Sequence, residues 1–273
     1  MSQQSLFHRS VVDNNLQEIQ RVKTHLHNSF SIKDLGTLRY FLGFEINRSP
    51  FGIVLNQQKY CLLDLLSHSG LLTCKFASSL MEPSYPLFES EGSLLLNPDE
   101  YRRLIGCLLY LTHTRPDISF AVHKLNHFIS NPREPHMIIV LRVLRYLKGC
   151  PGLGLFFFSD NQIIIKVFSD SDWGTCIDSR RFITSYYVLM GNSLILWKSK
   201  KQSTVSRSST LSKSFSKAEY RALTRLVCEL QWLQYSCQDL HTNISEYFVV
   251  YYDNKPAICI AKNHRFHERT KLN

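Results

Sequence analysis

Residues 167–173 read V-F-S-D-S-D-W, and how this stretch is read decides the fold. Ile163-Ile164-Ile165-Lys166 leads into it, so the segment reads as a buried, β-branched strand. Near its end the strand carries two carboxylates, Asp170 and Asp172. Residues two apart on a strand point to the same face. Unpaired buried carboxylates are costly. A divalent cation is the usual solution, and Mg2+ takes one or two carboxylates together with phosphate oxygens. Glu219 and Asp253 are the acids that would complete such a site. The same two aspartates read equally well as the start of a turn.

Working outward, the chain has 273 residues, enough for one large domain or two modest ones with a core. An apolar content of 44% with 20% charged residues belongs to a globular protein and excludes a disordered tail. The formal charge of +10 favours a polyanionic partner, nucleic acid first, over a basic but inert surface. The eight cysteines are scattered and form no C-x-x-C, which fits a reduced intracellular compartment, cytoplasmic or nuclear, better than a disulfide framework. Their spacing makes no zinc site, and His264 and His267 lack cysteine partners. Met1 to Ser10 has no apolar core of a signal peptide. No uninterrupted apolar run approaches the roughly 18 residues of a membrane span, so no membrane partner is expected.

In the first half, Leu16, Ile19, Val22 and Leu26 have helical spacing, and Asn15 with Glu18 reads as a capping box. Arg39 to Asn47 alternates, with Tyr40, Leu42, Phe44 and Ile46 on one face. Ser49-Pro50-Phe51-Gly52 is turn chemistry before Ile53-Val54-Leu55, which predicts a hairpin. Gln58 to Ser69 reads as a helix stopped by Gly70. Residues 81–97 are aperiodic and read as a mobile loop. Pro98-Asp99-Glu100 opens a helix carrying Tyr101, Leu104, Ile105, Leu108 and Leu111. A second helix carries Ile118, Val122, Leu125 and Phe128, and a third runs to Lys148. Arg142, Arg145 and Lys148 on that third helix read either as a solvated face or as a basic stripe following a phosphate backbone.

After Pro151 the pattern changes to strands. Phe182 to Met190, the turn Gly191-Asn192 and Ser193 to Trp197 make a hairpin. Lys198, Lys200, Lys201 and Arg207 follow among Ser and Thr, a combination suited to phosphate contact. Ser216 is the expected cap of a helix with Ala218, Ala222, Leu226 and Leu230 on its apolar stripe. This puts Glu219 in the first turn, where an acid also suits the helix dipole. Tyr247 to Tyr252 is the next strand, ending at Asp253, which reads by default as a cap for the next helix.

The order strand, hairpin, helix, strand, with acids on the first strand, the helix and the later strand, resembles the ribonuclease H fold. The chain as a whole resembles the C-terminal part of the reverse transcriptase of copia-type long-terminal-repeat retrotransposons. The resemblance is carried by F-S-I-K-D-L-G-T-L-R-Y-F-L-G-F-E-I at 30–46 and Y-R-R-L-I-G-C-L-L-Y-L-T-H-T-R-P-D-I at 101–118. It continues through R-V-L-R-Y-L-K-G at 142–149, S-D-S-D-W at 169–173, W-K-S-K-K-Q-S-T-V-S-R-S-S at 197–209, A-E-Y-R-A-L at 218–223 and F-H-E-R-T-K at 266–271. It implies an α+β protein. Residues 1–150 would be a mainly helical partial reverse transcriptase, thumb and connection with one β-hairpin; residues 151–273 would be a ribonuclease H-like mixed α/β domain, truncated at its C-terminus.

By the same resemblance Asp170, Glu219 and Asp253 are the catalytic carboxylates that bind Mg2+, or Mn2+, for hydrolysis of the RNA strand of RNA–DNA hybrids. Asp172 is a neighbour. Phe41-Leu42-Gly43 resembles a primer grip, which makes Phe41 and Gly43 nucleic-acid contacts. Three departures predict weak or no activity in this chain and leave a catalytically inactive nucleic-acid-binding remnant as the alternative. The polymerase motif Y-x-D-D does not occur in the chain. The segment T-L-S-K-S-F at 210–215 is added before the helix, where a bulging loop is expected, and Lys217 stands where an acid is usual. The chain ends at Asn273, before a fourth carboxylate on a late helix.

Overall fold

In the computed structural model of the chain, the residues described are 16–34, 36–81, 87–159, 164–172, 183–201, 211–240, 248–252, 254, 258, 259 and 262. The architecture is mixed α/β, with helices and two four-stranded sheets.

Helical spacing in the first half is realised at Leu16–Phe30 (α1). The strand expected over 39–47 is instead broken. Tyr40–Phe41 (β1) and Phe44–Ser49 (β2) pair antiparallel across Leu42-Gly43, so Tyr40 stands opposite Glu45 and Phe41 opposite Phe44. Tyr40 and Phe44 therefore do not share a face. Both turn residues have positive φ, 48° at Leu42 and 77° at Gly43, as a two-residue hairpin turn requires. Glycine takes that backbone freely and leucine does not. The Leu42 carbonyl accepts a hydrogen bond from the Tyr110 hydroxyl, which holds the turn down. Alternation alone does not reveal such a turn, because the contact that fixes it comes from 68 residues away.

Gly52–Asn56 (β3) completes the predicted hairpin, and Gly154–Phe158 (β4) pairs back onto β3. The first sheet is thus β1-β2-β3-β4, and the change to the second sheet falls between Ser159 and Ile164. Between β3 and β4 lies the helical core. It comprises a π-helical segment Tyr60–Leu66, helices Pro98–Leu111 (α2), Ser119–Asn126 (α3) and Glu134–Gly149 (α4), and a 3-10 turn Pro116–Ile118. Asn97 caps α2 by accepting from the Asp99 N–H, and Pro98 occupies the first turn, where its missing donor costs nothing. The predicted stripe of Tyr101, Leu104, Ile105, Leu108 and Leu111 is buried and meets Ile118, Val122, Leu125, Val140, Val143 and Leu147.

Polar side chains close this core. Arg133 donates to the carbonyls of Glu89 and Gly92 at 2.8 and 2.6 Å, which ties the described end of the expected loop to α4. Arg142 donates to the Ser79 carbonyl and hydroxyl, and Lys148 to the carbonyls of Leu72 and Cys74. The basic face of α4 thus clamps the segment 72–79.

The second sheet is formed by Ile165–Asp172 (β5), Ile183–Met190 (β6), Ser193–Lys201 (β7) and Val249–Tyr251 (β8) in the order β7-β6-β5-β8. β5, β6 and β7 pair antiparallel, and β8 joins β5 in parallel. A parallel neighbour needs a crossover, and the 29-residue helix Leu211–Asp239 (α5) supplies it. Here the expectation at the helix start is corrected. Residues 211–215 are helical rather than a bulging loop, since nothing in L-S-K-S-F is a Pro or Gly that would stop the helix growing backwards. Glu219 therefore sits in the third turn, beyond the reach of the helix dipole. The register survives, because Ala222 is buried and Leu226 and Leu230 are buried against Ile165, Val167, Tyr186 and Val188.

Candidate carboxylate site

Strand alternation sends Val167 and Ser169 toward α5, where both are buried, and Phe168 and Asp170 to the opposite face. Asp170 pairs in register with Ser185 of β6 and is exposed. It lines a groove of about 880 Å3 together with Tyr187, Trp197 and Tyr252; the other wall is Pro116, Ser119 and Phe120 of the helical core. Phe168 stacks between Tyr187 and Tyr251 in the same groove, with centroids 4.7 Å apart on either side. The sheet register places these three rings side by side across three strands.

Glu219 has a different setting. It is only 2% exposed, and its Oε2 accepts a hydrogen bond from the hydroxyl of Tyr252. Tyr252 is the residue just past β8, so the parallel pairing of β8 on β5 fixes where it stands. It therefore touches Glu219 and lines the groove that holds Asp170. Asp253 lies outside the described residues. Asp172 closes β5 opposite Ile183, and its side chain lies outside the described part of the chain. Among the described residues, no group of three or more His, Cys, Asp or Glu is placed to hold a metal ion.

The basic stretch after Trp197 lies on strand β7. Lys198 stands opposite Tyr186 and its ammonium pairs with Glu229 Oε1 of α5 at 2.5 Å. Burial, and then the Glu229 charge, push the Tyr186 phenol up from its ordinary pKa. Lys200 and Lys201 stand opposite Thr184 and Ile183, with side chains outside the described part of the chain, and Arg207 lies outside the described residues. Phe41 is exposed at the hairpin tip, 55% accessible. Gly43 is covered instead: a Cβ there would lie 3.2 Å from the Tyr110 hydroxyl.

Sequence reasoning missed four residues. Tyr252 reads as one more apolar strand residue. Glu229 is a charge flanked by the buried stripe of Leu226 and Leu230, which was the available signal. Arg115 and Asp117 flank Pro116 in T-R-P-D, where a proline turn brings a cation and an acid together. The Arg115 guanidinium, with its side chain 3% exposed, donates to both Asp117 oxygens at 2.9 and 2.7 Å and to the Cys150 carbonyl at 2.8 Å. Burial works against the Asp117 charge, but the hydrogen bond and charge of Arg115 outweigh it and hold the carboxyl below its usual range. Burial and the neighbouring Asp117 push the Tyr146 phenol up to about 12.

The chain is 39% identical over 255 residues to the retrovirus-related Pol polyprotein from transposon RE1 of Arabidopsis thaliana, covering 91% of this chain and 17% of that protein. It is 33% identical over 264 residues to the corresponding polyprotein from transposon TNT 1-94 of Nicotiana tabacum, covering 93% of this chain and 19% of that protein. It is 38% identical over 216 residues to an uncharacterized mitochondrial protein of Arabidopsis thaliana, covering 76% of this chain and 83% of that protein. No protein-family model and no solved structure matches the chain.

Proposed function

We infer a function from the premise that this chain belongs to the retrovirus-related Pol polyproteins of copia-type transposons, spanning under a fifth of the length of the curated polyproteins it matches. We propose that the part of the chain that follows β4, within the expected unit 151–273, acts as a ribonuclease H-type unit, whose reaction is metal-dependent hydrolysis of the RNA strand of an RNA–DNA hybrid. The observation that carries this reading is the sheet order β7-β6-β5-β8 crossed by α5, with Asp170 on the central strand β5 and Glu219 on the crossover helix.

Both described acids offer the hard oxygens that Mg2+ takes, Asp170 facing an open groove and Glu219 held by a hydroxyl. Strand alternation turns Asp170 away from α5, which carries Glu219, so the two lie on opposite sides of the sheet. The ribonuclease H reading would make Asp170, Glu219 and Asp253 the ligands of an ion that supplies Lewis-acid activation of water and phosphate. The groove beside Asp170 is where the hybrid would lie, with the net charge of +10 drawing in the polyanion.

A second reading, binding of nucleic acid without cleavage, is favoured by the placement of Asp170 and Glu219 on opposite sides of the sheet. One assay separates the two. A hybrid labelled in its RNA strand is incubated with the chain over a Mg2+ series, with Asp170→Asn in parallel. The expected result is cleavage that rises with Mg2+ and vanishes in Asp170→Asn. A hybrid that is bound with steep salt dependence but left uncut selects the second reading. A hybrid neither bound nor cut overturns both.

A further inference from the structure

The face of the second sheet turned away from α5 carries an aromatic ring from each of its four strands. The pairing registers bring the rings into line. Trp197 of β7 stands opposite Tyr187 of β6, Tyr187 opposite Phe168 of β5, and Phe168 opposite Tyr251 of β8. Lys166 and Asp170 flank the row on β5. Each is two residues from Phe168, so both share its face, roughly 7 Å away along the strand. We propose that this face is a stacking platform for the unpaired bases of a single-stranded nucleic acid, which rests on the nucleic-acid partner of the reading above but needs neither acid to hold a metal.

Three observations argue for it. First, the rings form a column with open ends. Phe168 is sandwiched between Tyr187 and Tyr251, with ring planes only 11° and 10° apart. Each tyrosine has one face on Phe168 and, among the described residues, no ring stacked on the other. They remain 43% and 48% exposed. A base is a planar π-system and extends such a column whatever its identity. In a duplex the bases are already stacked on one another, so an unpaired strand is what offers free faces. Second, Pro116 and Phe120 form the far wall of the groove over the row, so an entering base meets apolar surface on both sides. Third, charge orients the strand. Lys166 is half-buried, and among the described residues its ammonium has no hydrogen-bond or ion-pair partner. Lys198, on the α5 side, is by contrast held by Glu229. Lys166 is therefore the cation available to a phosphate on this face. Asp170, beyond the rings, repels phosphate and accepts from base N–H groups. The backbone thus lies on the Lys166 side, with base edges toward Asp170.

The test is a titration of the full chain, in EDTA, with a fluorescently labelled oligothymidylate, read by anisotropy. The unaltered chain is compared with Tyr251→Phe, Tyr251→Leu, Tyr187→Leu and Lys166→Gln, with the urea midpoint of each as a check on folding. Tyr251→Leu keeps an apolar side chain and removes the ring. We expect it to raise half-saturating oligonucleotide about tenfold, whereas Tyr251→Phe should stay within about twofold. Lys166→Gln should flatten the slope of log affinity against log salt by about 0.7, the share of one single-strand phosphate. A ligand-side measurement needs no variant: an oligomer of the same length built of abasic sites should bind about tenfold more weakly. Unchanged affinity in both leucine variants, or equal affinity for the abasic and thymidylate oligomers, overturns the platform and leaves the ribonuclease H reading standing. A hybrid duplex that loses as much affinity in Tyr251→Leu as the single strand does also overturns it, because the rings would not then select unpaired bases. An unchanged salt slope in Lys166→Gln overturns the assigned direction of the strand. Failure to bind any oligonucleotide overturns the platform and the nucleic-acid reading together. A dimer in sedimentation velocity that Tyr251→Leu dissociates assigns the face to a second copy of the chain and overturns the platform.

Discussion

The helical core and the sheet around β5 are stabilised in different ways. In the helical core, apolar stripes from α2, α3 and α4 converge, and Tyr101 is buried with its hydroxyl donating to the Leu125 carbonyl at 2.8 Å. Cations on its rim are consumed by backbone carbonyls. In the second sheet, α5 covers one face. On the other, the described residues leave Tyr187 and Tyr251 roughly half exposed on either side of Phe168, beside Asp170. The difference teaches where chemistry has room. The first region ties Arg115, Arg133 and Lys148 to backbone carbonyls and reads as a scaffold, whereas the second keeps a carboxylate in an open groove and another behind it.

Core truncation tests the comparison most strongly. Leu108 is fully buried in the helical core, so Leu108→Ala should cost roughly 4 kcal/mol, toward the upper end of such changes, by urea unfolding. Leu226 packs α5 onto a single sheet face, and Leu226→Ala should cost roughly 2–3 kcal/mol. Equal losses would erase the distinction between a core closed on all sides and one closed on a single side.

A smaller effect is expected at the clasp. Asp117→Asn leaves the buried Arg115 cation without its carboxylate. Because Asp117 is a third exposed, the cost should be about 2 kcal/mol rather than the full penalty for a broken buried pair. The pH dependence has a definite sign. Asp117 has a folded pKa below its unfolded value, so its contribution is present above about pH 4 and is lost as pH falls through the folded pKa. Melting temperatures measured from pH 5 downward should fall less steeply in Asp117→Asn than in the unaltered chain. Parallel curves would show that the clasp is not the acid-sensitive element of the scaffold.

The smallest effect belongs to the sheet region. The Lys198–Glu229 pair is partly exposed on both sides, and Lys198→Ala should cost under about 1 kcal/mol by urea unfolding. A loss as large as that of Asp117→Asn would mean that the second region, too, is fastened by ion pairs.

Much of the helical core was legible. Tyr101 to Leu111 and Ile118 to Phe128 follow a 3.6-residue period, Pro98-Asp99-Glu100 marks the start of α2, and all of these signals are local. The second sheet was legible as an order of elements, because the β-branched run before Asp170, the Gly191-Asn192 turn and the stripe Ala222, Leu226 and Leu230 each lie within a few residues. What failed was where a local pattern met a distant contact or lacked a stop. Leu42 turns because Tyr110 holds its carbonyl, and α5 starts early because no breaker lies between 211 and 216.

The sequence by itself determined the family resemblance, the mixed α/β character, the core residues of α2 and α3, and the acids at 170 and 219 as candidates. Only the tertiary structure decided that β4 returns to the hairpin and that Arg142 and Lys148 hold backbone carbonyls. It also decided that Asp170 faces an open groove while Glu219 is buried on the hydroxyl of Tyr252. The reason is physical. Periodicity and capping are written in neighbours along the chain, whereas the exposure of a carboxylate and the donor it meets depend on which strands pair and in which register.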